Sequence, residues 1–228
     1  MLSAILFDLD GTLVNTEPLH YKAWYETFIN YGLEIDEEFY TKYVTGGLNS
    51  QVIQNVFPYM PHEEREKFAE QKENCFRQLA VEIKPVDGLY ELLTWVEKFE
   101  IKRGVVTNAP RKNALLMLEI LGLEKFFDVV VLGEEALAAK PDPAPYRLAL
   151  DCLGMIPEST IAFEDSFTGI SSSVGAGIYT IGVASTQSPD YLCKAGAKIS
   201  ISDFNSKLLW DLLDSFSRVN THLNTVLG

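Results

Sequence analysis

Along the C-terminal two thirds of the chain, short apolar runs rich in β-branched residues alternate with stretches in which apolar positions return every three or four residues. Residues 2–9 (LSAILFDL), 102–107 (KRGVVT), 128–132 (DVVVL), 160–163 (TIAF) and 179–183 (YTIGV) read as five strands. Residues 89–99, 111–121, 144–153 and 168–176 lie between them and are long enough for crossover helices, with Gly122 and Gly154 as helix stops. Strands alternating with helices of this length predict a doubly wound α/β fold, with one parallel sheet covered by helices on both faces. Ligands of such sheets bind beyond the carboxyl ends of the strands.

Residues 17–83 break the rhythm. They read helix after helix (18–30, 37–43, 50–56 and 63–81) with no strand pattern, so a helical insertion follows the first strand. The predicted division is a core of residues 1–14 and 84–228, with an inserted domain of residues 15–83. After Ser202 the tail reads as a further amphipathic helix with a fraying end.

Composition narrows the function classes. The chain has 228 residues, 19 Lys and Arg against 32 Asp and Glu, and a formal net charge of −13, so a basic footprint for nucleic acid or an anionic membrane is absent. An anionic ligand would need local cations. Cys75, Cys152 and Cys193 are few, scattered and odd in number, which predicts reduced thiols and a cytoplasmic setting. Residues 166–189 carry no charge, but glycines and serines dilute them too far for a membrane span. Residues 2–7 have no basic leader and run straight into Asp8, so no secretory signal is expected.

The chemistry concentrates at the ends of the predicted strands. In Phe7-Asp8-Leu9-Asp10-Gly11-Thr12, residues i and i+2 of an extended chain project to one side, so Asp8 and Asp10 can share a site as nucleophile and proton shuttle. On its own the pair also fits a solvated turn. A calcium loop fails on spacing, because Gly11 comes fourth from Asp8 and not sixth. Thr107-Asn108-Ala109-Pro110 follows the second strand with a hydroxyl and freed N–H groups suited to phosphate oxygens. Lys140 in Lys140-Pro141-Asp142-Pro143 follows the third strand, and Glu164-Asp165 ends the fourth. Each is commonplace alone. No P-loop, dinucleotide fingerprint or zinc spacing of His20, His62 and His222 competes with them.

Together these elements resemble the haloacid dehalogenase superfamily of phosphohydrolases: Asp8-Leu9-Asp10-Gly11-Thr12 looks like its first motif, Thr107 its second, Lys140 its third and Glu164-Asp165-Ser166 its fourth. The insertion resembles the helical-cap subgroup. Asn15-Thr16-Glu17-Pro18-Leu19-His20 with Trp24 is similar to the β-phosphoglucomutase-like branch, which includes many sugar-phosphate phosphatases. The resemblance implies attack by Asp8 on phosphorus and proton transfer by Asp10. It implies Mg²⁺ held by a carboxylate oxygen of Asp8, the carbonyl of Asp10 and Asp165, with Glu164 in the first or second shell. Thr107 and the N–H of Asn108 would grip phosphate oxygens, and Lys140 would pair with Asp8 and the phosphoryl group.

Accelerating phosphate-monoester hydrolysis by up to ~10²¹-fold exceeds what one general acid supplies, about 10²–10⁴, so several groups must act together. A dehalogenase needs neither a metal nor a proton for its leaving group, and Asp10 with Glu164-Asp165 provides for both. In the cap, His20 is expected either to contact Asp10 or substrate hydroxyls or to pack within the cap. Trp24 is expected in the cap core. Gly46-Gly47-Leu48-Asn49 resembles the substrate-reading loop, making Gly47 and Asn49 substrate-binding candidates. Asn49 stands where the mutases carry an arginine that clamps a second phosphate, which disfavours a mutase. Lys72 is expected to be a solvated lysine in a charged run rather than a replacement for that arginine. The expected function is a Mg²⁺-dependent phosphatase acting on a small phosphorylated metabolite, as a monomer or weak dimer. A phosphomutase and a catalytically idle binding module are the alternatives.

Overall fold

The computed structural model describes residues 2–45 and 47–226. The chain divides into two compact units, residues 1–15 with 84–228 and residues 16–83. The first is an α/β domain built on a six-stranded parallel sheet in the order β3-β2-β1-β4-β5-β6. Its strands are β1 (Ala4–Phe7), β2 (Lys102–Thr107), β3 (Val129–Leu132), β4 (Thr160–Glu164), β5 (Tyr179–Val183) and β6 (Ile199–Ile201). The sixth strand corrects the expectation of five. Ile199-Ser200-Ile201 is too short for a period-two signal and stands at the sheet edge, paired with β5 alone.

Alternation along β1 sends successive side chains to opposite faces of the sheet. Leu6 joins Val106, Val131, Ala162, Tyr146 and Ala149 on one face. Phe7 stacks on Phe163 with ring centroids 5.3 Å apart, and Phe204 meets Phe163 edge-on at 5.3 Å. Both faces of β1 are therefore buried, in keeping with the unbroken apolar run that marked it as a strand.

The strand order makes β1 and β4 the point at which the chain changes direction across the sheet. Strands are added on one side as β2 and β3 and on the other as β4, β5 and β6. Crossover loops leave a crevice at that point beyond the carboxyl ends of the strands. Asp8 follows β1 directly, with its N–H donating to Phe163 O at 3.0 Å, and Glu164 is the last residue of β4.

The inserted unit is helical among its described residues: α1 (Glu17–Asn30), α2 (Glu37–Tyr43), α3 (Asn49–Val56), α4 (His62–Leu79) and a 3-10 turn at Ala80–Glu82. Its own core gathers Trp24, Phe28, Ile35, Tyr40, Val52, Ile53 and Phe68. Gly46 and the expected fraying end of the tail, 227 and 228, lie outside the described residues; the helix before that end is Lys207–Val226. No helix among the described residues is long and apolar enough to cross a membrane.

Phe163 is fully buried between Phe7 and Phe204, so Phe163→Ala should lower the unfolding free energy by about 3–5 kcal/mol in urea titrations. A loss below about 1 kcal/mol would show that this aromatic stack is not the support of the central strands.

Candidate active site

Asp8, Glu164 and Asp165 are all buried, and each offers a carboxylate oxygen within 4.8 Å of the others. Lys140 reaches into this group. Its Nζ donates to Asp8 Oδ1 at 2.7 Å, to Glu164 Oε1 at 2.5 Å and to the carbonyl of Val106 at 2.7 Å. Stretches of chain at Asp8, Val106, Lys140 and Glu164-Asp165 thus meet at the carboxyl ends of β1, β2 and β4.

The surrounding contacts explain the orientation of each group. The phenol of Tyr146, in the helix Ala144–Leu153, donates to Glu164 Oε1 at 2.7 Å. Ser166 Oγ donates to Glu164 Oε2 at 3.4 Å and accepts from the N–H of Gly169, capping the helix Phe167–Gly175. Thr186 Oγ1 donates to Asp165 Oδ2 at 2.6 Å. Close packing demands glycine at two positions. A Cβ on Gly169 would lie 1.9 Å from Glu164 Oε2, and one on Gly11, whose φ is +79°, would lie 2.0 Å from Asp165 Oδ2.

Three carboxylates facing one ammonium leave negative charge unmet, and burial makes that costly. Burial foremost, with the charges of Glu164 and Asp165, raises the Asp8 carboxyl well above its ordinary range, and Lys140 opposes the shift. Asp165 is pushed up to about 8 by burial and by Glu164, against the Thr186 hydrogen bond and Lys140, with Asp10 adding a further upward push. For Lys140 burial works toward the neutral amine, but Asp8 and Glu164 outweigh it and hold the ammonium above its usual range. Burial, then Glu164, also raises the Tyr146 phenol, which keeps it a hydrogen-bond donor.

The remaining residues singled out in the sequence fall in two places. Asp10 stands in the turn after β1, bridged to Val14, and its charge is felt at Asp165. Thr107 ends β2 next to Val106, and its Oγ1 accepts from the N–H of Ala109 at 3.0 Å. The Asn108 side chain holds the main chain of Lys140, with Nδ2 donating to its carbonyl and Oδ1 accepting from its N–H, both at 3.1 Å.

His20, Asn49 and Gly47 belong to the helical unit. Asn49 Nδ2 donates to Glu73 Oε1 at 2.6 Å, and the ring of His20 stacks on Phe76 at 4.3 Å with Nδ1 3.1 Å from Lys72 Nζ. Gly47 precedes α3 and donates its N–H to Val44 O. Lys72 corrects the expectation of a solvated lysine: it is only 2% exposed, pairs with Glu73 at 2.9 Å and lies over the rings of Trp24 and Phe76. Its spacing of four residues from both Phe68 and Phe76 puts it on the buried stripe of α4, a signal present in the sequence. Tyr146, Thr186 and Gly169 carry no comparable signal in the sequence. A tyrosine in an amphipathic helix reads as core, and Thr186 stands in a polar stretch without periodicity.

An all-oxygen donor set with excess negative charge suits a hard divalent cation. A group whose folded pKa is raised contributes stability at low pH that is lost as pH climbs through that pKa. For Asp165 the loss runs from its unfolded value near ~4 up to about 8 in the metal-free protein. A cation that needs ionised carboxylates should therefore bind better as pH rises. With Mg²⁺ or Mn²⁺ as probe, the metal-induced rise in melting temperature should be larger at pH 8.5 than at pH 5.5; equal rises would contradict the site. Gly169→Ala should shrink that rise at both pH values by displacing Glu164.

Residues 5–183 match the family described as haloacid dehalogenase-like hydrolase. The phosphorylated carbohydrates phosphatase of Thermotoga maritima is 32% identical over 185 residues, covering 79% of this chain and 84% of its own. Validoxylamine A 7′-phosphate phosphatase of Streptomyces hygroscopicus subsp. limoneus is 31% identical, covering 86% of this chain and 92% of its own. Among solved structures, a family IA, variant 3 hydrolase from Entamoeba histolytica superposes with a TM-score of 0.84 at 29% identity, over 91% of this chain and 97% of its own. The chain belongs to the haloacid dehalogenase-like hydrolases and is an enzyme whose relatives are phosphatases.

Proposed function

We propose that the protein is a Mg²⁺-dependent phosphatase that hydrolyses a small phosphate monoester, a sugar phosphate or related metabolite, through an aspartyl-phosphate on Asp8. The observation that carries this reading is the convergence of Asp8, Glu164 and Asp165 at the carboxyl edge of the sheet, with Lys140 paired to Asp8 and Glu164. The two phosphatase relatives act, by their names, on phosphorylated carbohydrates and on validoxylamine A 7′-phosphate.

In this reading a carboxylate oxygen of Asp8 attacks phosphorus as the ester P–O bond breaks. The departing oxygen takes a proton from Asp10. Asp10, now a carboxylate, then accepts a proton from the water that attacks the aspartyl-phosphate, and the Asp8–phosphorus bond breaks to release inorganic phosphate. Lys140, 2.7 Å from Asp8, opposes the burial that favours the acid form of the nucleophile. Thr107 and the N–H of Asn108 hold phosphoryl oxygens. Asp8, the carbonyl of Asp10 and Asp165, with Glu164 close by, would hold Mg²⁺, which supplies charge neutralisation at the phosphoryl group.

The helical unit favours hydrolysis over mutase chemistry. Asn49 carries no charge and its amide is engaged by Glu73, while the Lys72 ammonium is already met by Glu73 at 2.9 Å. A bisphosphate intermediate asks for a cation to clamp its distal phosphate. We place the enzyme in the cytoplasm, where its three free thiols would stay reduced, as a monomer or weak dimer.

Phosphate release from a panel of sugar phosphates, phosphoglycolate, nucleotides and pyrophosphate, with and without Mg²⁺, tests this function. Metal-dependent release from a sugar monophosphate is expected; an isomerised sugar phosphate stimulated by a bisphosphate would establish a mutase instead. Asp8→Asn should lower kcat by at least about 10³-fold and abolish acid-stable phosphoenzyme. Near-normal turnover in Asp8→Asn would remove it as the nucleophile.

A further inference from the structure

We propose that Asn108 is a positioning residue: its side-chain amide clamps the main chain of Lys140 and so sets where the ammonium meets Asp8 and Glu164, with Gly133 left bare to make room for it. The inference rests on the reading of Lys140 as the partner of the nucleophile. It assigns to the Asn108 side chain a role separate from any contact that its own main-chain N–H makes with phosphate.

The clamp is reciprocal. Asn108 Nδ2 donates to the Lys140 carbonyl and Oδ1 accepts from the Lys140 N–H, each at 3.1 Å, so one planar amide fixes both polar groups of the residue. The restraints on the segment leading to Lys140 lie at its start, where Glu135 accepts from the Leu132 N–H at 3.0 Å and Arg111 pairs with Glu134 and Glu135. Residues 134–139 are exposed or half-exposed, Leu137 is 102% exposed, and Lys140 itself drops to 5%. A lysine entering a buried site from so open a loop has four rotatable side-chain bonds to order, and fixing its Cα reduces what the ion pairs must hold alone.

Gly133 supplies the second, independent observation. A Cβ there would lie 2.5 Å from Asn108 Oδ1 and 3.3 Å from its Cγ, but 3.2 Å from the Cβ of Ala139. Asn108 is thus the group that a side chain at 133 would displace. Gly133 follows β3 and Asn108 follows β2, whose neighbouring ends Thr107 and Leu132 are paired. The two sheet ends and the lysine loop are thereby joined through one side chain.

Three variants, Asn108→Ala, Gly133→Ala and the double variant, test the clamp by two readouts. With the ester found active in the panel, Asn108→Ala should lose roughly 10- to 100-fold in kcat, while KM and inhibition by inorganic phosphate change less than about 3-fold. Gly133→Ala should behave likewise, yet add little to Asn108→Ala, because the shortened side chain removes the clash. Amide hydrogen exchange of the protein without substrate should show Lys140 losing protection in Asn108→Ala while Val105 and Val106 keep theirs. If Asn108→Ala fails to fold, near-isosteric Asn108→Asp replaces the donor facing the Lys140 carbonyl with an oxygen and should lower kcat in the same way.

Additive losses, weakened phosphate inhibition at normal kcat, or an unchanged Lys140 amide would each overturn the proposal. Failure of the phosphatase reading is a different result: the wild-type protein then turns over no ester of the panel, while hydrogen exchange still decides whether the clamp exists.

Discussion

One buried ammonium among several carboxylates is the constraint around which the α/β domain is arranged. Lys140 is paired with Asp8 and Glu164 and is also bonded to the Val106 carbonyl, so its charge is fully engaged by the protein. Yet Asp165 lies within the same group of oxygens without an ion pair of its own among the described residues, so the cluster keeps a negative excess in a place where water cannot dilute it. Burial first, and that imbalance with it, raises the titration of Asp8 and Asp165 and gives the site its appetite for a cation.

The helical unit holds a second buried charge arrangement with the opposite character. There Lys72 faces Glu73 one to one, and Asn49 adds a hydrogen bond to the same carboxylate. Burial raises the Glu73 carboxyl, but Lys72 and Asn49 together bring it below its usual range. A balanced pair is satisfied and inert, whereas the unbalanced cluster in the α/β domain is poised to take up charge. Counting partners, more than counting acidic residues, separates structural ionisation from chemical ionisation in this chain.

Much of this was legible in the sequence because it depends on local pattern. The apolar runs of β1, β2, β3, β4 and β5, each covered by helices, announced a parallel sheet, and Asp8, Thr107, Lys140 and Glu164-Asp165 stood out because each follows or ends such a run. What escaped notice is not periodic. Ile199-Ser200-Ile201 is too short to show alternation, Tyr146 looks like any core aromatic until its hydroxyl is seen against Glu164, and the requirement for Gly169 comes from a carboxylate five residues earlier in the chain folding back onto it. Lys72 differs: its place between Phe68 and Phe76 on α4 decides its burial over its charge. Asn108 follows the apolar run of β2, but nothing in the linear sequence shows that its amide is spent on a main chain 32 positions away.

The placement of β1 at the centre of the sheet bears on how the polypeptide reaches this arrangement during synthesis. Ala4 pairs with Lys102 on one side and with Thr160 on the other, so β1 finds its two neighbours only after those later stretches have been translated. Until then its apolar segment has no edge to join, while the core of the inserted helices is drawn from residues close together in the chain and can condense early. Contacts of such long sequence separation close slowly. The nascent chain therefore carries an unpaired hydrophobic strand until β2 and β4 are made, and this interval is where chaperone dependence and aggregation would be decided.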